Sequence, residues 1–190
     1  MITFYLLGLI IFIVYIVVLI SKFGIPKSIS ESSYLYGKNG NYIFWGGTTL
    51  FVLPLLIYWL DITHEQTYQF LVFLSCAALC FVAITGRFRG DEGKLEANLH
   101  TYGTIFCAVL AQTWMWLTFP KSWIISAVVF PIAIIAGLLI NGHQRKIGKD
   151  TSGMTIYGDI KRTNSVVFWV EMALYTMAFV SIIWYRCTCQ

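Results

Sequence analysis

Long apolar runs separated by short polar ones organise this chain from end to end. Six segments carry almost no charge: Ile2 to Ile20, Tyr42 to Leu60, Thr67 to Gly86, Leu99 to Phe119, Trp123 to Ile140 and Ser165 to Tyr185. Crossing a hydrocarbon core of about 30 Å takes about 20 helical residues, so each run has the length of one membrane span. Strict apolar-polar alternation, which barrel strands need, does not occur in them. Helix then remains the one way for such a run to satisfy its own backbone in lipid. The predicted fold is all-α: a single polytopic domain over residues 1–190, with six transmembrane helices in three hairpins. The first run lacks a basic leading region and is followed by "SKFGIP" rather than a small-x-small cleavage site, so it is expected to be a retained helix.

The polar runs between the spans alternate in length and charge. "DITHEQ" and "PKS" are minimal, whereas segments 21–41, 87–98 and 141–164 hold Lys22, Lys27, Lys38, Arg87, Arg89, Lys94, Arg145, Lys146, Lys149, Lys161 and Arg162. Lys121 and Arg186 are the two basic residues elsewhere. The positive-inside rule then predicts three cytoplasmic loops and both chain ends on the non-cytoplasmic side. The expected location is an integral one in the bacterial inner membrane.

Composition agrees with that pattern. Hydrophobic residues make up 58% and charged residues 12%, against about 25% charged in soluble domains. The mean hydropathy is +0.72, which leaves no stretch for a separate soluble domain. A net charge of +4 without a basic, aromatic-interleaved module fits orientation and anionic lipid, and excludes a nucleic-acid partner. The lipid bilayer is the expected partner, with a second copy or another membrane protein beside it. All seven tryptophans, Trp45, Trp59, Trp114, Trp116, Trp123, Trp169 and Trp184, fall near predicted helix ends and read as interfacial anchors.

In the first long loop, Pro26 precedes Ser28-x-x-Glu31, the spacing of a capping box. It predicts a short interfacial helix with Ile29, Tyr34 and Tyr36 toward lipid and Lys27, Ser30 and Glu31 toward water. "YGKNGNYIFW" (Tyr36 to Trp45) and "YGDIKRTNSVVFW" (Tyr157 to Trp169) end two loops alike. Duplication of a hairpin would produce this, and so would convergence on a turn glycine with interfacial aromatics.

Candidate chemistry collects where charge meets the spans. "GRFRGDEGKLEANLHTYG" places Glu96 four residues before His100, on one helical face. An acid beside an imidazole can hold its tautomer for proton relay or ligation; a helix start rich in carboxylates is the structural alternative. His143 lies in "NGHQRK", on the same predicted side, where it could converge with Asp91, Glu92 and Glu96. A hydrolytic metal site needs about three such ligands and an open position. No H-x-x-x-H, H-E-x-x-H, Walker, G-x-G-x-x-G or G-x-S-x-G spacing occurs, so neither metal nor cofactor is expected. His64, between Asp61 and Glu65, reads as solvated.

Glu171 is the one acid inside a predicted span. Such a carboxylate is costly in lipid and by default faces a partner or a water-filled cavity, with snorkelling to the interface as the alternative. Tyr175 sits one turn deeper on its face, and Gln112 could hydrogen-bond across the bundle. Cys76, Cys80 and Cys107 read as apolar filler; Cys187 and Cys189 form C-T-C in the last residues. The leading expectation is a non-enzymatic membrane protein that binds a partner, lipid headgroup or small solute at its cytoplasmic face. The alternatives are a transporter or channel subunit using Glu171, and an interfacial enzyme using Glu96, His100 and His143.

Overall fold

A computed structural model of the chain describes residues 2–65, 67–85, 94–119, 121–149, 151–152 and 154–188. Side chains are described at these positions except 85, 94–97, 147, 149, 155 and 184–188. The long helices are α1 (Ile2–Phe23), α3 (Gly40–Ile62), α4 (Gln69–Thr85), α5 (Lys94–Thr118), α6 (Ser122–Leu139) and α7 (Val166–Thr188). A short α2 (Ser32–Leu35), flanked by 3-10 turns at Ile29–Glu31 and Gly37–Asn39, joins α1 to α3. Strands β1 (Asn141–Lys149) and β2 (Thr155–Asn164) lie between α6 and α7.

Each helix buries a stripe and leaves the rest apolar and uncovered. In α1 the buried positions are Tyr5, Gly8, Phe12, Ile16 and Leu19, spaced three or four apart, as one helical face requires. The opposite face of α1 holds Ile10 and Val14, both more than half exposed, and α6 shows Leu138 and Leu139 at 69% and 78%. A soluble monomer rarely exposes so continuous an apolar surface. Among the described residues four helices are long and apolar enough to cross a membrane: Ile2–Phe23, the run Gly37–Ile62 that contains α3, Ser122–Leu139 and Val166–Ile183. Gln69–Ile84 is apolar but shorter. The molecule is thus a helical protein with the makings of a membrane bundle.

Packing joins α1 to α3, α4 to α5 and α6 to α7, while α3 also packs on α4. An aromatic spine ties the first helix to the last. Tyr5 meets Tyr58 and Phe179 at centroid distances of 5.3 and 5.6 Å, and its hydroxyl donates to the Phe179 carbonyl at 3.1 Å. One layer on, Phe12 contacts Phe51 at 5.3 Å and Tyr175 at 4.8 Å. Tilted and edge-on pairs of this kind add about 0.5–1.5 kcal/mol each beyond their burial.

The structure departs from the expectations in four places. Residues 141–164, expected as a loop, form an antiparallel hairpin in which His143 pairs with Arg162 and Arg145 with Ile160. In the sequence the strand-forming Thr-Ile-Tyr of β2 comes shortly after Asp-Thr-Ser-Gly, a run of turn-forming residue types, which is hairpin chemistry. The first loop is not an amphipathic interfacial helix: Ser28 to Leu35 are all buried, Glu31 to 1% and Ser32 to 0% exposure. Trp114 is no interfacial anchor, since it is buried between Trp59 and Phe119, each 5.5 Å away. The two Tyr-Gly motifs do not repeat a structure either, because Tyr36 and Gly37 lead from α2 into a 3-10 turn while Tyr157 and Gly158 sit within β2.

Candidate binding site beneath the buried first loop

Residues 24–35 fold back into the end of the bundle as a plug, held by backbone bonds to distant segments. The Lys27 amide donates to the His143 carbonyl at 2.9 Å, and the His143 amide to the Ile25 carbonyl at 2.8 Å. The Phe168 amide donates to the Lys27 carbonyl at 3.0 Å, which satisfies one of the free donors in the first turn of α7. The predicted cap forms locally: the Ser28 hydroxyl accepts from the Glu31 amide at 3.2 Å. Glu31 then turns inward rather than to water, and its Oε1 accepts from the Arg145 amide at 3.2 Å. A Cβ on Gly40 would stand 2.0 Å from the Ser33 carbonyl oxygen, so only glycine lets α3 start against the plug.

Glu171, one turn into α7, points into the molecule. Its Oε2 accepts the Ile29 amide at 2.5 Å, so a carboxylate 142 positions away holds the plug's first 3-10 turn. Bonds to a charged acceptor stabilise by about 1.5–3 kcal/mol. Glu171 also borders two cavities. The first, a vestibule of about 330 Å³, is polar: Lys27, Ser28, Ser30, His100, Thr101, Thr104 and Glu171 line it, with Ile105 and Val167 on its wall. The second is a chamber of about 100 Å³ between α3, α4, α5 and α7, walled by side chains such as Phe44, Leu55, Leu79, Ala108 and Leu174. Ser30, Thr104 and Glu171 belong to both linings.

The other candidates separate. Tyr175 shares the chamber wall with Glu171, as its place one turn deeper implied, and its ring packs on Phe12 and Phe51. Gln112 does not approach Glu171; its amide donates to Ser126 Oγ at 2.8 Å and ties α5 to α6, with Trp116 Nε1 on the same hydroxyl at 3.1 Å. His143 is turned to the plug, with Nδ1 3.2 Å from the Ile25 carbonyl and beside Gly24, whereas His100 is buried on the vestibule wall. The side chains of Asp91, Glu92 and Glu96 lie outside the described residues, as do those of Cys187 and Cys189. Among the described residues no group of three His, Cys, Asp or Glu side chains is arranged to hold a metal ion. Cys76, Cys80 and Cys107 are free thiols, and Cys76 and Cys107 face the chamber. His64 is solvated as expected, with Nε2 3.5 Å from Glu65 Oε1.

Lys27, Ser30 and Thr104 escaped the sequence reading as site residues. The Ser-rich run gave a signal only for capping, and nothing local to Lys27 places it opposite α5. No family model, no curated protein and no solved structure matches this chain.

Proposed function

We propose that this chain is a six-span integral membrane protein, with three helical hairpins and both termini away from the cytoplasm, that binds a small molecule or lipid headgroup at its cytoplasmic end. The single observation that carries this reading is the vestibule: seven polar side chains, three of them buried, gathered around about 330 Å³. Hydroxyls, an imidazole, an ammonium and a carboxylate around one cavity offer both donors and acceptors, a lining suited to a polar guest. Orientation is supported by the same end of the molecule, because the end of α1, the plug, the 3-10 turn after it and the β-hairpin carry Lys22, Lys27, Lys38, Arg145, Lys146, Lys149, Lys161 and Arg162.

Binding fits better than the alternatives. A proton-coupled carrier needs a polar path across the bundle, and the chamber wall beneath Glu171 is predominantly apolar. An enzyme needs convergent ionisable groups about 3 Å from one reacting point, and His143 turns away from the vestibule to Ile25. The bilayer is the partner this reading requires.

Native mass spectrometry of the protein released from mild detergent tests it. Wild type is expected to retain a bound small molecule, and Lys27→Glu to lose it. Lys27 holds the plug through its main chain, so the substitution leaves those bonds in place. Wild type without any adduct, or a Lys27→Glu variant that keeps the same one, sinks the proposal.

A further inference from the structure

The vestibule adjoins a second cavity, and that neighbour defines the guest. We propose that the ligand is a single-chain amphiphile with an uncharged, hydroxyl-bearing head: the head lies in the vestibule and the chain runs past Glu171 into the chamber. This rests on the binding reading above and gives it a substrate class.

Three observations converge. The two cavities share Ser30, Thr104 and Glu171 in their linings, so a polar cavity lies directly against an apolar one. A purely polar solute would leave the chamber without contacts, and a hydrocarbon would strip water from the vestibule's polar groups with nothing in return. An amphiphile satisfies both. The chamber's size favours one chain, since about 100 Å³ between four helices suits a single stretch of methylenes. The vestibule's charges then choose the head. Lys27 supplies one cation and Glu171 one carboxylate, among four Ser and Thr hydroxyls. An anionic head would face Glu171 and a cationic head Lys27, whereas hydroxyls can donate to one and accept from the other.

The route of admission is lateral. α5 packs broadly on α4, and α7 on α6, but α5 and α7 meet only over a short stretch. Ile105 and Val167 stand on either side of that seam, about half exposed, on the vestibule wall. A lipid-soluble guest can reach the site there without crossing water.

The protein's own thiols report on the chamber. Cys76 and Cys107 line it, and Cys80, one turn from Cys76 on α4, does not. Wild-type protein in nanodiscs is treated with N-ethylmaleimide, and modification of each cysteine is followed by peptide mass spectrometry. Monoacylglycerol, fatty acid and alkylamine of one chain length are compared, with glycerol as the headgroup alone. Monoacylglycerol at about ten times its Kd is expected to slow Cys76 and Cys107 about tenfold, because the reactive free fraction falls as 1/(1 + [L]/Kd). Cys80 should keep its rate, and the acid and amine should protect only weakly. In an Ala111→Phe variant, which fills the chamber, Cys107 should no longer respond. Equal slowing by all three amphiphiles would assign the effect to partition into the bilayer and overturn the proposal, as would slowing of Cys80 in step. Unprotected chamber thiols in protein that still carries a small, chain-free adduct would sink the amphiphile while leaving the headgroup site standing.

Discussion

Glu171 carries two jobs that a single substitution can separate. Its carboxylate holds the Ile29 amide, and the same side chain stands between the vestibule and the chamber. Glu171→Gln keeps a carbonyl acceptor for that amide but no charge, so unfolding in mild detergent should change by about 1 kcal/mol. Glu171→Ala leaves the Ile29 donor buried without this acceptor and should cost about 2–3 kcal/mol. If Ala and Gln unfold alike, the carboxylate does not hold the plug. The residue was legible in advance because an acid inside an apolar run is rare for a physical reason. Its partner was not, because a backbone amide carries no signature in the sequence. His143 shows the same limit: its class suggested ligation, while the backbone bonds that hold it beside Ile25 come from a segment more than a hundred positions away.

At the scale of elements, helices were readable from length and apolarity, and their bounds agree with the predicted spans within a few residues at most ends. α5 begins earlier, at Lys94, since a helix end at an interface need not coincide with the end of its apolar run. The hairpin was missed because a rule that weighs only length and hydropathy treats every polar segment as a loop, although the Thr-Ile-Tyr run and its turn carried a strand signal. The plug was half read. Its Ser28 cap is local and formed as the spacing required, but polarity does not report exposure here: Ser32 and Glu31 turn inward to partners supplied by α1 and β1, and Glu171 of α7 holds the Ile29 amide. Glycines test this element by sign. Gly40→Ala drives a methyl into the Ser33 carbonyl and should destabilise by about 1–3 kcal/mol or displace the plug. Gly46→Ala, six residues further along α3 with nothing near its Cβ, should stabilise by up to about 1 kcal/mol through helix propensity. A Gly40 variant as stable as the Gly46 variant would mean that the plug does not press on α3.

For the whole molecule, orientation is the property on which the location of the site depends. Gly148 is exposed on β1 and His64 on the turn after α3, toward opposite ends of the helices. In a cysteine-free background, His64→Cys should react with an impermeant thiol reagent in intact cells, and Gly148→Cys only after permeabilisation. The opposite labelling would put the vestibule outside the cytoplasm. Charge asymmetry is the sequence signal behind this expected orientation, because a membrane sorts loops by their Lys and Arg. It says nothing about what the loops do once sorted, and here one of them became part of the interior.

That buried loop also gives the molecule a history in time. Ile29 leaves the ribosome long before the groups that hold it, and Glu171 follows 142 residues later. At about 5–20 residues per second this interval is roughly 7–30 s. For most of it the serines and Glu31 lack Arg145, His143 and α7, while α1 and α3 are already available to pair. The early helices therefore assemble around an unfinished end, and the last quarter of the chain closes it. Synthesis order makes the C-terminal hairpin and α7 the step that converts a set of early helices into a protein with a pocket.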